Sequence, residues 1–457
     1  MANSVSMYEK YFKDPKREPV LIDYVRTPIG KRRGTIVRHR GDDLIIHCYE
    51  ALKKRNDFDM SLLGDSMVSC NSQIGECALD IGRNAALGAH LPVSVGGMSL
   101  NRHCASGAQA VLSAWQAVAG GVHDAVICGG IELQNKYPIM ADSFVFNEEL
   151  GKPLMVAPNK KILTNPEVAA KLEEYGTTLS GQINSAHIMG IHYFSKHNGI
   201  TPKEFKGEYK DKLKQDLDQL SLLSHQKADK AWDERGKEIE PIWCPKLDEN
   251  GKPMLDENNN VAKDESLSVL TSRDEAPRPQ STMEALAGLR TISGRKSQAF
   301  LTAGNSCPTS DGAAAQIWMA RGLAEELGLK IRASIVNFTI VGTDPVIMLD
   351  GPIKAMPEVL KRANLTFDDM SYIEINEAFS SVVYGCCKEL GLDWNSPNFN
   401  PWGGAIALGH PTGMTGCRLI GSNVHQLEKT GDEFAISSMC VGFGMSIATI
   451  VKNENPK

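Results

Sequence analysis

The stretch Gly97-Met-Ser-Leu-Asn-Arg-His-Cys104-Ala-Ser-Gly-Ala-Gln-Ala-Val-Leu-Ser-Ala-Trp-Gln-Ala-Val-Ala-Gly-Gly121 decides how this chain is read. A short polar run ends at Cys104, and small, helix-compatible residues follow at once. Gly107, Ala108, Ala110, Ala114 and Ala117 leave little bulk on the helix, which suits an element enclosed by other backbone. Cys104 then stands at a helix N-terminus, where unpaired N–H groups and the positive end of the helix dipole favour a thiolate. A thiolate is the nucleophile that acyl transfer through a thioester needs. Taken alone, such a cysteine is more often a small buried apolar residue, so the weight must come from the rest of the chain.

On either side the chain alternates strand and helix. Pro19 to Tyr24 reads as a buried strand, Asp42 to Lys54 as a helix, Asp65 to Ser69 as a strand, Asp80 to Ala89 as a helix, and 124–128 as a strand. The same rhythm returns with strands at 299–302, 331–341 and 371–375, a helix at 353–364, a helix after His410, and strands at 433–438 and 445–451. Alternation of this kind predicts an α/β protein with a mostly parallel sheet covered on both faces. Between 131 and 290 the rhythm breaks. Lys and Glu cluster from Lys203 to Lys237, and Asn250-Gly251 gives a hairpin signal inside a polar run. This region is expected to be an inserted, lid-like subdomain, its lysines either meeting a nucleotide phosphate or forming a solvated face. The basic run Lys31, Arg32, Arg33, Arg38, Arg40 reads as a solvated loop.

The two ends of the chain echo one another. Cys104 precedes Gly107 by three positions and His410 precedes Gly413 by three; each opens a helix followed by an apolar strand. Two related βα halves with central helices side by side would bring Cys104 and His410 to one site. The predicted organisation is an N-terminal half at 19–130, the insertion at 131–290, completion of that half at 291–325, and a C-terminal half at 326–457.

With 457 residues the chain is too long for one core, and 42% hydrophobic with 23% charged residues is ordinary for a globular α/β protein. A net charge of −6 offers no general attraction to nucleic acid or anionic membrane. Eleven cysteines without a repeated CxxC, and an N-terminus without signal-peptide features, predict a reducing, cytoplasmic setting. Cys70, Cys77 and the adjacent Cys386 and Cys387 match no zinc spacing. No apolar run reaches membrane-spanning length.

Five stretches then converge: Asn101-Arg-His-Cys104-Ala-Ser-Gly, Thr302-Ala-Gly-Asn, Asn376-Glu-Ala-Phe379, Gly403-Gly-Ala-Ile-Ala-Leu-Gly-His410-Pro and Cys440-Val-Gly442. In this order and at these separations the chain resembles the thiolases, the acyl-CoA C-acyltransferases, from about Pro19 to Val451. The resemblance implies a layered fold of two similar βα halves and a ping-pong reaction through an S-acyl enzyme. It implies Cys104 as nucleophile, His410 as its base and Cys440 as the acid/base at the α-carbon of the second thioester. It further implies one oxyanion hole from the N–H groups of Cys104 and Gly442, and a second from His410 and a water held by Asn376. Coenzyme A thioesters are the implied substrates, with no metal or redox cofactor. Met189, Cys307, Phe379 and Phe443 fall on the substrate side. Homodimers or homotetramers are implied, paired through the edge strand near the Cys104 segment, and a partner subunit in a β-oxidation complex is allowed.

Three features depart from the family pattern. Phe443 interrupts a run that is usually Gly-Gly-Gly, Cys307 stands where many thiolases carry a Ser, and His187 lies one place early relative to Met189-Gly190. Two other readings share the fold: a non-catalytic acyl-CoA-binding subunit, against which Cys104, His410 and Cys440 all speak, and a ketoacyl synthase or thioesterase relative, in which Cys440 would be His or absent.

Overall fold

The computed structural model describes residues 14–149, 151–155, 159–178, 181–292 and 299–457. Nine strands carry the architecture: β1 (Pro19–Arg26), β2 (Leu63–Ser69), β3 (Met98–Leu100), β4 (Ala125–Leu133), β5 (Ser310–Ala320), β6 (Ala333–Gly342), β7 (Tyr372–Ile375), β8 (Phe434–Val441) and β9 (Met445–Asn453). With the short Gly30–Lys31 strand beside β5 they form a ten-stranded sheet in the order β7-β8-β9-β6-β1-β5-β4-β2-β3. The halves are joined where Val20 and Leu21 of β1 face Ser334 and Ala333 of β6.

Two expectations need correction. The sheet is not mostly parallel: only β2 with β3, β2 with β4, and β7 with β8 run parallel. β8 and β9 are joined by the three residues Gly442-Phe443-Gly444, a connection that only antiparallel strands allow. Nor are the two halves equal in strand number: β1 to β5 form the N-terminal one and only β6 to β9 the C-terminal one. In the C-terminal half the fifth position holds a single parallel bridge between Ile373 and Phe399, because Pro397 and Pro401 flank it and neither can donate to a ladder.

Eight helices layer the sheet: α1 (Gly41–Arg55), α2 (Ile81–Gly88), α3 (Ser106–Ala119), α4 (Gln182–Asn198), α5 (Glu208–Lys230), α6 (Gly351–Ala363), α7 (Ser380–Leu390) and α8 (Thr412–Thr430). Along β5 the side chains alternate. Ala314 and Trp318 join Val111, Leu112 and Trp115 of α3 and Leu419, Ile420 and Val424 of α8 in an inner core. Ala313, Ala315 and Ile317 instead meet Leu44, Ile45 and Tyr49 of α1. In the C-terminal half Ile436 and Ile450 turn outward to Met356, Val382 and Leu217. The order is therefore covering helices, sheet, the central pair α3 and α8, sheet, covering helices.

The small residues of α3 serve this enclosure. A Cβ on Gly107 would lie 2.7 Å from the Cys417 nitrogen and 2.8 Å from the Gly413 oxygen, and one on Gly416 would lie 2.2 Å from the Ala108 nitrogen. The first turns of α3 and α8 thus touch backbone to backbone.

Segment 131–290 supplies α4 and α5 to the outer layer, where Phe194, Leu213 and Leu217 are buried. It also adds a hairpin of Ile242–Pro245 with Ser268–Thr271, whose connection turns at Asn250-Gly251. Gly251 has φ of 75° and Leu247 bridges Pro253 across that turn. The segment is tied to β1 by a buried ion cluster. Arg26 donates from Nε to Glu238 at 2.8 Å and from Nη1 to Asp274 at 2.7 Å, and Arg235 meets the same Asp274. Two of its lysines are committed internally: Lys214 to Asp218, and Lys227 to the carbonyls of Trp394, Ser396 and Phe399.

Candidate active site

Cys104 is placed by a short turn that the polar run encodes. Asn101 Oδ1 accepts the His103 N–H at 2.8 Å, and Ser106 Oγ accepts the Arg102 N–H at 2.8 Å while donating to the His103 carbonyl at 2.6 Å. These bonds hold His103 at φ 46° and leave Cys104 one residue ahead of the helix cap, Ala105. His410 is fixed as firmly. Its N–H donates to Ser310 Oγ at 2.7 Å, and its carbonyl accepts from Gln134 Nε2 at 2.8 Å. Gly409, at φ 110°, makes this approach feasible, since a Cβ there would lie 2.7 Å from that of Ser310.

Since α3 and α8 meet at Gly107, Gly413 and Gly416, Cys104 and His410 leave their helices at the same end of that contact. Glu132, buried at the end of β4, fastens this end: it accepts from the N–H groups of Asn71 and Ser72, the Thr412 hydroxyl and the Gly413 N–H at 2.8 to 3.0 Å. Asn376 follows β7; its N–H donates to the Ser438 carbonyl and its Nδ2 lies 3.3 Å from His410 Nε2. Cys307 is brought alongside when residues 305–307 pair with 378–380. The Cys307 N–H donates to the Ala378 carbonyl, and Ser306 bridges Phe379.

The proton inventory of His410 follows from Thr415. The Thr415 hydroxyl donates to the Pro411 carbonyl at 2.9 Å, so it must accept from His410 Nδ1–H at 2.7 Å. Nε2 therefore keeps its lone pair, to which Asn376 donates. Burial, with the Arg418 charge adding to it, pushes the imidazole down to about 3, so His410 is a neutral base.

Cys104 differs from expectation. A helix end was expected to favour a thiolate there. Burial instead raises Cys104, partly offset by the Gln182 side chain and the N–H groups of Gly442 and Cys104 itself. Burial and the neighbouring Cys104 and Cys307 thiols push Cys440 well up, and Cys307 is raised to about 12. The resting site thus holds neutral thiols beside a neutral imidazole. Gln182 Nε2 lies 3.5 Å from Cys104 Sγ; neither it, nor Thr415, nor Glu132 was singled out from sequence. Glu132 follows the Gly129-Gly130 pair, which was the available signal.

The remaining predicted residues lie at different depths. Phe443 turns between β8 and β9 at φ 64°, is 41% exposed, and its ring centroid lies 5.5 Å from that of His103. Phe379 is buried at the start of α7. Met189 has no exposure, and its Cε sits where a Cβ on Gly385 would be 2.8 Å away, inside the outer core. His187 bonds the Ile183 carbonyl and packs on Phe300.

Buried thiols at Cys104 and Cys440, an unprotonated imidazole nitrogen on His410 and N–H groups aimed at the Cys104 sulfur equip this fold for acyl transfer through a thioester on cysteine. The chain belongs to the thiolase family: residues 19–322 match the thiolase N-terminal domain and residues 329–453 the thiolase C-terminal domain. It is 34% identical over 440 residues to a β-ketoadipyl-CoA thiolase of Pseudomonas aeruginosa, covering 95% of this chain and 99% of that protein. It is 35% identical over 434 residues to a 3-ketoacyl-CoA thiolase of Aliivibrio fischeri, covering 94% and 98%. The crystal structure of the Bacillus anthracis acetyl-CoA acetyltransferase is similar with a TM-score of 0.75 at 27% identity, over 99% of this chain and 100% of that one.

Proposed function

We propose that this enzyme makes or cleaves 3-oxoacyl-CoA through an acyl group carried on Cys104. The observation that supports it best is the orientation of His410, whose Nε2 is left unprotonated by the Thr415 bond at Nδ1 and meets only the Asn376 amide at 3.3 Å. In the first half-reaction His410 takes the Cys104 proton on Nε2 as sulfur attacks the thioester carbonyl, and the departing CoA sulfur takes the Cys440 proton. The oxyanion is met by the N–H groups of Cys104 and Gly442, each such donor being worth about 3 kcal/mol. In the second, the Cys440 thiolate takes the proton at the α-carbon of the incoming thioester, while His410 Nε2–H and a water held by Asn376 meet the enolate oxygen, and the His410 proton returns to Cys104 as its sulfur leaves. The unpartnered, buried Asn376 Oδ1 suits such a water.

Phe443, Cys307 and Phe379 are proposed to face the acyl or pantetheine chain; Met189 is proposed to shape that side from within the core. Acyl-CoA and coenzyme A are the proposed ligands, in fatty-acid or related acyl metabolism, with a homodimer or homotetramer as the working form and a β-oxidation partner subunit compatible with it. No observation favours a non-catalytic subunit. Eleven free cysteines fit a reducing, cytoplasmic compartment, and among the described residues no helix is long and apolar enough to cross a membrane. The test is release of acyl-CoA from 3-oxoacyl-CoAs of graded chain length with free CoA. Thiolysis with one preferred length is expected; no thiolysis at any length would remove the proposal.

A further inference from the structure

The Cys104 sulfur needs stabilisation that the surrounding groups do not supply. Burial, and after it Glu132, oppose a negative charge on it. His410 faces the site neutral, held so by burial with Arg418 adding to it. What favours the thiolate is a set of N–H donors, two from the backbone at Gly442 and Cys104 and one from a side chain. That side chain is Gln182, the first residue of α4, whose Nε2 lies 3.5 Å from Sγ. One turn on, Ser185 Oγ donates to the Val346 carbonyl at 2.8 Å and anchors the start of the helix.

We propose that Gln182 is a catalytic residue, the side-chain hydrogen-bond donor to the Cys104 thiolate. This rests on Cys104 being the acyl carrier. An amide suits the place because it donates without adding a charge that would hold CoA phosphate or a product carboxylate. The bond is strong while sulfur is ionised and weak once sulfur is a thioester, since charge-assisted bonds are about twice as strong as neutral ones. Cys104 is thiolate twice in the cycle, as nucleophile in acylation and as leaving group in deacylation. A donor matched to that charge lowers both barriers without tightening ground-state binding.

The test is the pH dependence of Cys104 alkylation by iodoacetamide, resolved by peptide mass, in wild type, Gln182→Leu and Gln182→Glu, with unfolding midpoints run alongside. The apparent pKa of Cys104 is expected to rise by about one unit in Gln182→Leu, a tenfold loss of thiolate at fixed pH, and further in the isosteric Gln182→Glu. Acetylation by acetyl-CoA should slow in the same order. An unchanged Cys104 profile in both variants would overturn the proposal, even where turnover falls, because a residue that merely starts α4 would leave it unmoved. Alkylation requires no acyl-CoA, so this outcome is separate from failure of the thiolase reading, which the acetyl mark on wild type reports.

Discussion

At Cys104 a thiol is held out of water among N–H donors, and His410 beside it is held neutral by burial and by Arg418. In the proposed reaction the nucleophile therefore forms by proton transfer during attack, not as a resting thiolate. With a base depressed to about 3 and a thiol raised above 9, the acylation rate is expected to stay flat between about pH 5 and 8. A limb near the ordinary histidine value of about 6.5, seen in stopped-flow acetylation, would contradict this. Cys440→Ala should still accept an acetyl group yet lose carbon–carbon bond making and breaking by about 10² to 10⁴, measured as thiolysis of acetoacetyl-CoA. Phe443 occupies the left-handed region in which glycine is unstrained. Phe443→Gly is thus expected to leave the unfolding midpoint at or above wild type while shifting the preferred acyl chain length; an unchanged profile would make the ring simple packing on His103. Cys104, His410, Cys440, Asn376 and Gly442 were legible in the sequence as candidate site residues. Gln182 was not, because a glutamine at a helix start carries no pattern and meets Cys104 only through tertiary structure.

At the scale of elements, the helices and most β-branched strands could be read from apolar periodicity, but β5 could not, and the strand expected at 299–302 is only a single bridge of Thr302 to Thr291. Its sequence Ser-Asp-Gly-Ala-Ala-Ala-Gln-Ile-Trp-Met-Ala lacks the strand signature, yet it pairs with both β1 and β4 at the centre of the N-terminal half. Small residues are needed there because both faces are covered. The same economy holds between α3 and α8. Gly416→Ala would place a Cβ 2.2 Å from the Ala108 nitrogen, and is expected to cost about 1–3 kcal/mol in urea unfolding and to slow acetylation by parting the helix starts. Glu374 on β7, held by Gln426 of α8, is pushed up to about 7 by burial. Its folded value lies above its unfolded 4.5, so the folded state keeps the proton. That contribution is complete below 4.5 and lost as pH rises through about 7. Glu374→Gln lacks it, so the variant should gain stability relative to wild type across that window; a gap that does not widen with pH would refute the buried, protonated state.

The whole molecule is two half-sheets wrapped on one helix pair, with the insertion clasped to β1 through Arg26, Glu238 and Asp274. Asp274→Ala leaves a buried guanidinium short of its main partner, and a loss of about 3–5 kcal/mol is expected in chemical unfolding. The sequence echo around Cys104 and His410 anticipated the paired central helices; the antiparallel strands and the missing fifth strand of the C-terminal half were hidden because loop length and flanking prolines decide them. β3 lies at one end of the sheet, with Met98, Ser99 and Leu100 half-buried in the single chain. Pairing through that edge predicts at least a dimer in light scattering at micromolar concentration. The proposed carrier of the acyl group is Cys104, which opens the central helix opposite His410. Peptide-mapped mass spectrometry after treatment with acetyl-CoA tests it directly: one acetyl group is predicted on Cys104 in wild type and in Cys440→Ala, and none in Cys104→Ala. An acetyl group on Cys440 or Cys307 with Cys104 unmodified would contradict it.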